Sequence, residues 1–325
     1  MPKVSVLMPV YKTNPQHLRE AVDSILAQTF KDFEFLILDD CPSDHSVEEI
    51  ISTYSDSRIH YLRNEKNMGI SGARNKLLDL ATGEYLAVMD HDDISLPKRF
   101  AREVAYLDKH PDVGVVSCRF EQFPGKYKNN KNPENDHEIK LALMRVCAVI
   151  HPATMIRKSI LKQNNIRYEA EFSPSEDYAL FCRLIAYTKF YNIPEILFKY
   201  RRHSTNTSKL QAEEMAETSH RIHAFVKREN PELYQEFLIK ATHTHRFCLF
   251  NGLPLLTLIS RNEHHEIRLF DFIPIIKTDS DNQRTLIELF NFIPILSIQA
   301  NEYKTRIKLF GLFTIFSYKN SIKLK

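Results

Sequence analysis

A chain of 325 residues with a formal net charge of +3 is long enough for one large domain, or a domain with an appendage. Its charge is too evenly balanced to argue for nucleic acid as a partner. Hydrophobic residues at 43% and charged residues at 26% are ordinary for a globular protein, and no run of 18 apolar residues suggests a transmembrane helix.

The chain opens with MPKVSVLMPVY, whose short apolar run carries Pro9 inside it and lacks a small-residue cleavage pattern. It reads as a first strand, not a signal peptide. Over the first 120 residues, apolar runs at 4–8, 33–38, 59–62, 85–89 and 113–117 have strand length. Between them lie amphipathic segments, one carrying Leu18, Val22 and Ile25, another Leu77 and Leu80, and a third Phe100, Val104 and Leu107. Strands alternating with helices predict βαβ units and a mostly parallel, Rossmann-like α/β sheet covered on both faces. Ser43 and Asp44 are candidate caps for the second helix, and Asp93 or Ser95 ahead of Pro97 for the fourth.

Residues 121–140 are polar, contain Pro, Gly and Asn, and read as a loop. A strand-like piece follows around 153–156, then a helix from about residue 174, then helical stretches near 210–227 and 231–247. From residue 249 a period of 20 sets in. Leu249-Phe250, Leu269-Phe270, Leu289-Phe290 and Leu309-Phe310 are each followed by a turn former, namely Asn251, Asp271, Asn291 or Gly311. Ile267, Leu269, Ile273 and Ile275 share a parity, so the tail is read as stacked β-hairpins. The expected organisation is therefore a catalytic domain over 1–208, with a nucleotide part at 1–120 and an acceptor part at 121–208. A helical segment at 209–248 and the repeats at 249–325 follow it.

Ligands of parallel sheets bind beyond the carboxyl ends of the strands. Those ends carry Pro9-Val10-Tyr11, Asp39-Asp40 and Asp90-His91-Asp92. Three carboxylates in four residues (Asp90, Asp92 and Asp93) repel one another and lose hydration on burial. A helix cap needs only one, for which Asp93 is the best placed; a hard divalent cation, Mn²⁺ or Mg²⁺, accounts for Asp90 and Asp92. Asp39, spare if Ser43 or Asp44 caps, offers an acceptor to the ring N–H of a nucleotide base. Gly69 and Gly72 precede a helix in a chain with only 7 glycines. Arg74, in that helix, calls for an anionic neighbour such as a diphosphate or the Asp cluster. In SPSEDYALFCRL, Glu176 and Asp177 suit either a helix start or a base for an attacking hydroxyl. His203, beside Arg201 and Arg202, is a further candidate near a metal or a diphosphate; His151 stays undecided between a structural and a functional role.

With these residues in view, 3–208 resembles the inverting glycosyltransferases of family 2, which have the GT-A fold. The resemblance rests on VSVLMPVYK, AVDSILAQTFKDFEFLILDD, NMGISGARN, MDHDDISLP, HPATMIRKS, SEDYALFCRL and YRRHSTNTS in that order. It is greatest to bacterial enzymes that extend lipopolysaccharide, capsule or related surface glycans. The resemblance implies that Pro9, Tyr11, Asp39, Arg74 and Asp90 serve the nucleotide-sugar donor, UDP-linked first among the choices. It also implies that Asp90 and Asp92, with His203 as a further candidate, hold Mn²⁺ or Mg²⁺, and that Asp177 is the catalytic base. The turn DDCPSD departs from the family's DDGSTD but keeps Asp39. Two other readings remain: a non-catalytic nucleotide-sugar-binding or scaffold protein, and a metal-dependent nucleotidyltransferase. The latter would show a glycine-rich loop where this chain has PVYKTNP.

The acceptor expected is a saccharide, lipid-linked in the finer version. The five cysteines (Cys41, Cys118, Cys147, Cys182 and Cys248) form no CxxC pair and fit a reducing compartment, so the expected location is cytoplasmic. The repeats suit either packing, on the catalytic domain or between two subunits, or peripheral contact with the inner face of the membrane. In the membrane version Lys304, Arg306, Lys308, Lys319, Lys323 and Lys325 interleave with Phe310, Phe313, Phe316 and Tyr318.

Overall fold

The computed structural model describes residues 1–125, 132–204, 206 and 210–240, and beyond these the backbone of eight strands between residues 243 and 319. The chain divides into two units, Met1–Tyr234 and Gln235–Lys325.

In the first unit the alternation runs β1 (Val4–Val10), α1 (Pro15–Leu26), β2 (Phe33–Asp39), α2 (Ser46–Ile51), β3 (Ile59–Arg63), α3 (Gly69–Leu80) and β4 (Tyr85–Val88). All seven residues of β1 are buried, as in a strand covered on both faces. Asn14 caps α1: its side chain accepts from the backbone N–H groups of Gln16 and His17, and Pro15 supplies the fixed first-turn geometry. The Leu18, Val22 and Ile25 stripe of that helix is buried in the same core as Val6, Met8 and Phe35. Pro9 lies past Leu7, the last residue of β1 paired with β4, so its missing N–H breaks no ladder there.

After β4 come β5 (Ile94–Ser95), α4 (Arg99–Lys109), β6 (Val113–Phe123), α5 (Asp136–Leu143), β7 (Met155–Arg157), α6 (Lys158–Gln163), α7 (Glu176–Leu184) and β8 (Lys189–Arg201). The sheet order is β3-β2-β1-β4-β7-β6-β8-β5. The first four strands run parallel, β7 is antiparallel to both neighbours, and β6 pairs β8 in parallel. Chain order reverses at β1, between β2 and β4, so the crevice beyond their carboxyl ends opens beside Tyr11, Asp39 and Asp90. Helices α8 (Ala212–Glu229) and α9 (Pro231–Lys240) follow.

Several local expectations change. The stretch at 121–140 is not one loop: β6 extends to Phe123 and α5 begins at Asp136, whose carboxylate accepts from the backbone of Phe190. The helix expected to reach 247 stops at Lys240. Neither Asp93 nor Ser95 caps α4; Gln28, fully buried, reaches across from the end of α1 and accepts from Phe100 N–H. Its amide N–H groups donate to the backbone carbonyls of Ser95 and Leu96.

In the second unit, β9 (His243–Cys248), β10 (Pro254–Arg261), β11 (His264–Leu269), β12 (Ile273–Asp281), β13 (Arg284–Leu289), β14 (Ile293–Asn301), β15 (Lys304–Leu309) and β16 (Phe313–Lys319) pair in succession as one antiparallel sheet. The 20-residue period is the period of a bulge. The register shifts opposite Ile267/Arg268, Ile287/Glu288 and Ile307/Lys308, and again between Pro254 and Leu256. The extra residue on β12 is Ile275, so Ile273 shares its face with Ile276, not with Ile275 as simple alternation had it. Asn251, Asp271, Asn291 and Gly311, with the Phe of each Leu-Phe pair and Lys323 and Lys325, lie outside the described residues.

Candidate active site

β4 ends where the apolar run meets Asp90, and the carboxylates there have different partners. Asp90 Oδ1 lies 3.5 Å from Arg74 Nη2. Asp92 Oδ2 accepts from His203 Nε2 at 2.7 Å. Asp93 is buried and accepts from the backbone N–H of Arg201 at 2.7 Å. Asp93 is therefore not the helix cap of the sequence reading but the clasp between the carboxylate loop and the end of β8. Its second oxygen finds no partner among the described residues, and burial, with Asp92 and Asp90 nearby, pushes its carboxyl well above the ordinary range.

β8 fastens the loop further. Arg201 Nε donates to the Asp92 carbonyl at 2.5 Å, and its guanidinium pairs with Glu20 of α1. Asn206 accepts from the His203 backbone and donates to the Arg201 carbonyl. His203, 111 positions past Asp92 in the sequence yet beside it in space, is thus held from both sides.

Arg74 lies in the second turn of α3 and is buried. It donates to Glu176 and stands 5.4 Å from the centre of the Tyr168 ring. Burial works against its charge; Glu176 and Asp90 outweigh that and hold its pKa above the ordinary value. Burial raises Asp90's carboxyl, with Arg74 opposing. Glu176, 4% exposed, opens α7 but makes no side-chain cap bond. The next residue, Asp177, keeps some exposure and accepts from the Tyr178 backbone at 2.7 Å. Burial, then repulsion from Glu176, lifts its pKa to about 6, with Arg74 pulling the other way. His151 Nε2 and the Tyr168 hydroxyl are 2.8 Å apart; burial and Arg74 hold His151's pKa well below its usual value, so it is neutral and structural.

On the nucleotide side, Tyr11 is exposed at the end of β1. Lys12, directly after it, takes a left-handed φ of 46°, turning the chain out of the strand with its ammonium 5.2 Å from the Tyr11 ring. Asp39 is not spare. It is fully buried, accepting from Cys41 N–H and from the Tyr61 hydroxyl at 3.0 Å, and burial raises its carboxyl. Asp40 accepts from Asn64 and from the Met68 backbone, tying the approach to α3 onto the end of β2. Gly69, at φ +70°, makes the turn there.

The structure thus brings together Asp90, Arg74 and the Glu176–Asp177 pair, and separately Asp92 and His203. Sequence reasoning missed Glu176 as Arg74's partner and missed Asn206; it named Arg201 and Asp40 as neighbours of candidate residues but not their roles in fastening the loops.

The family model for Glycosyl transferase family 2 matches residues 5–169, half of the chain. The chain belongs to glycosyltransferase family 2. A glycosyltransferase of Methanocaldococcus jannaschii with no characterised activity is 37% identical over 207 residues, 62% of this chain and 71% of that one. The WfgD β-1,3-glucosyltransferase of Escherichia coli, which uses UDP-Glc and α-D-GlcNAc-diphosphoundecaprenol, is 25% identical over 77% of this chain and 97% of its own. Among solved structures, Staphylococcus aureus TarS 1-349 in complex with UDP-GlcNAc superposes with a TM-score of 0.59 at 20% identity, over 73% of this chain and 71% of that one. That likeness bears on the fold of this glycosyltransferase. Among the described residues, no helix of this family-2 enzyme is long and apolar enough to cross a membrane.

Proposed function

We propose that this glycosyltransferase moves a sugar from a nucleotide-sugar, UDP-linked, to a saccharide hydroxyl with inversion at the anomeric carbon. The observation that carries the reading is the run of contacts from Asp90 through Arg74 to Glu176, next to a carboxylate at Asp177 with a pKa near 6. A base of that pKa is ionised at neutral pH and still basic enough to take a proton as the acceptor oxygen attacks. The acceptor O–C bond forms as the bond from the anomeric carbon to the diphosphate oxygen breaks; the proton goes to Asp177 and the nucleoside diphosphate leaves.

Arg74 supplies fixed positive charge between donor and base, and Glu176 with Tyr168 keeps it aimed there. Tyr11 offers a face for the base to stack on, while Asp39 orders the Cys41 turn and Tyr61 beneath the base and keeps lone pairs for a ring N–H. Pro9 sets the exit of β1 between them. The donor set at Asp92 and His203, with Asp90, suits a hard Mn²⁺ or Mg²⁺ ion, which needs only one or two protein carboxylates when phosphate oxygens complete its shell. Such an ion would supply charge for the departing diphosphate. Among the described residues no three such side chains already converge on one point.

Residues 1–120 then form the donor part and 121–208 the acceptor part. A lipid-diphosphate-linked saccharide of a surface glycan is the finer acceptor reading, supported by the likeness to WfgD. A screen of UDP-, GDP- and dTDP-sugars with Mn²⁺ tests the proposal by the nucleotide released. Nucleoside diphosphate with a product of inverted anomeric configuration is expected. Pyrophosphate would mean nucleotidyl transfer, and donor binding without release would mean a binding protein.

A further inference from the structure

The second unit has an amphipathic sheet, and its register segregates the residues. One row across β10 to β14 reads Leu258, Ile267, Ile276, Leu289 and Ile293. The same face continues through Ile287, Leu296, Leu309 and Phe313, and through Ile298, Ile307 and Phe316. The opposite face carries Glu266 opposite Lys277, Lys277 opposite Glu288, and Asp281 opposite Arg284, pairs of alternating sign that belong in water. The bulge in each repeat keeps this division from inverting between copies.

An apolar sheet face needs a second layer. The described elements of this unit are the eight strands and the last part of α9, so the unit does not supply one among its described residues. We propose that the layer is the same face of a second copy, giving a face-to-face β-sandwich between two chains. Two observations choose this occupant. Eight strands at about 4.8 Å spacing and about six residues at 3.3 Å make a face of roughly 750 Å². That is close to the ~800 Å² per partner of a stable interface. The polar face also mixes carboxylates with its cations, so it is not the uniformly basic face of an element lying on anionic lipid. Arg306 and Lys308 pair with Ser317 and Thr314, whereas Phe313 and Phe316 pair with Leu309 and Ile307 on the apolar side. The interleaving of basic and aromatic residues along the sequence becomes a separation in the sheet.

Sedimentation velocity of the full chain over about 1–100 µM, without lipid, tests this. A dimer is expected, weakened at least 100-fold by Ile287→Glu and unchanged by Lys308→Glu on the other face, opposite Ser297 and Thr314. Because Ile287→Glu could disturb the sheet itself, Thr278→Arg, opposite Ile287 at a position already polar, is the second variant; a lone sheet tolerates it and a sandwich does not. A wild-type monomer throughout that range, a dimer that survives both apolar-face variants, or association seen only on vesicles containing anionic lipid would each overturn the proposal.

Discussion

Replacing Asp177 with Asn should stabilise the first unit while stopping the reaction. The carboxyl is raised from an ordinary 3.8 to about 6, by burial and then by Glu176. At about 1.4 kcal/mol per pH unit, ionising it in the folded protein costs up to about 3 kcal/mol. Asp177 keeps some contact with solvent, which screens part of this, so about 1–3 kcal/mol is expected. The folded state holds the proton more tightly than the unfolded state here. The cost is therefore absent below about pH 4, grows as pH rises, and is complete above about pH 6. Asp177→Asn, which never ionises, should melt several degrees above the wild type at pH 8, at roughly 2–4 °C per kcal/mol. The two should converge at pH 4. Turnover should fall about 10²–10⁴-fold, the usual worth of a general base. Differential scanning calorimetry at the two pH values, with nucleotide release measured at pH 8, reads both effects. Equal melting temperatures at pH 8, or a gap that persists unchanged at pH 4, would refute the electrostatic argument; near-normal turnover would remove Asp177 from the chemistry.

Glu176→Gln leaves buried Arg74 with only the longer Asp90 contact, and urea unfolding should show a loss of about 1–3 kcal/mol, below the ~3–5 kcal/mol of a buried charge stripped of its partner. It also removes a negative neighbour of Asp177, so the acid limb of the pH–rate profile should move below about 6. Asp92→Ala should weaken Mn²⁺ activation of nucleotide release by at least tenfold, with melting at neutral pH little changed, because the side chain is partly exposed; an unchanged Mn²⁺ dependence would remove the metal role. Gln28→Ala should cost about 2–4 kcal/mol in denaturant titration, since it strands Phe100 N–H in the core and releases the segment after the carboxylate loop.

The alternation of apolar runs and amphipathic stripes was enough to place β1 to β4 and their helices, because parallel strands buried on both faces must be apolar along their length. The candidate positions at the strand ends were legible for a related reason: ligands of a parallel sheet bind beyond the carboxyl ends of its strands, where these polar residues stand. The tail's period of 20 was equally plain, yet alternation by two could not show that each period contains a bulge, since the extra residue is defined only by the partner strand. What the sequence left open were the partnerships. Glu176 lies 102 positions from Arg74, Arg201 109 from Asp92, and Gln28 72 from Phe100. In each case a residue taken as a cap, or passed over, binds a group whose identity depends on which strands lie side by side. Local pattern determined the strands, the helices and the chemistry available at the strand ends. Only the tertiary structure decided which carboxylate answers which cation, because burial sets the cost of leaving either one unpaired.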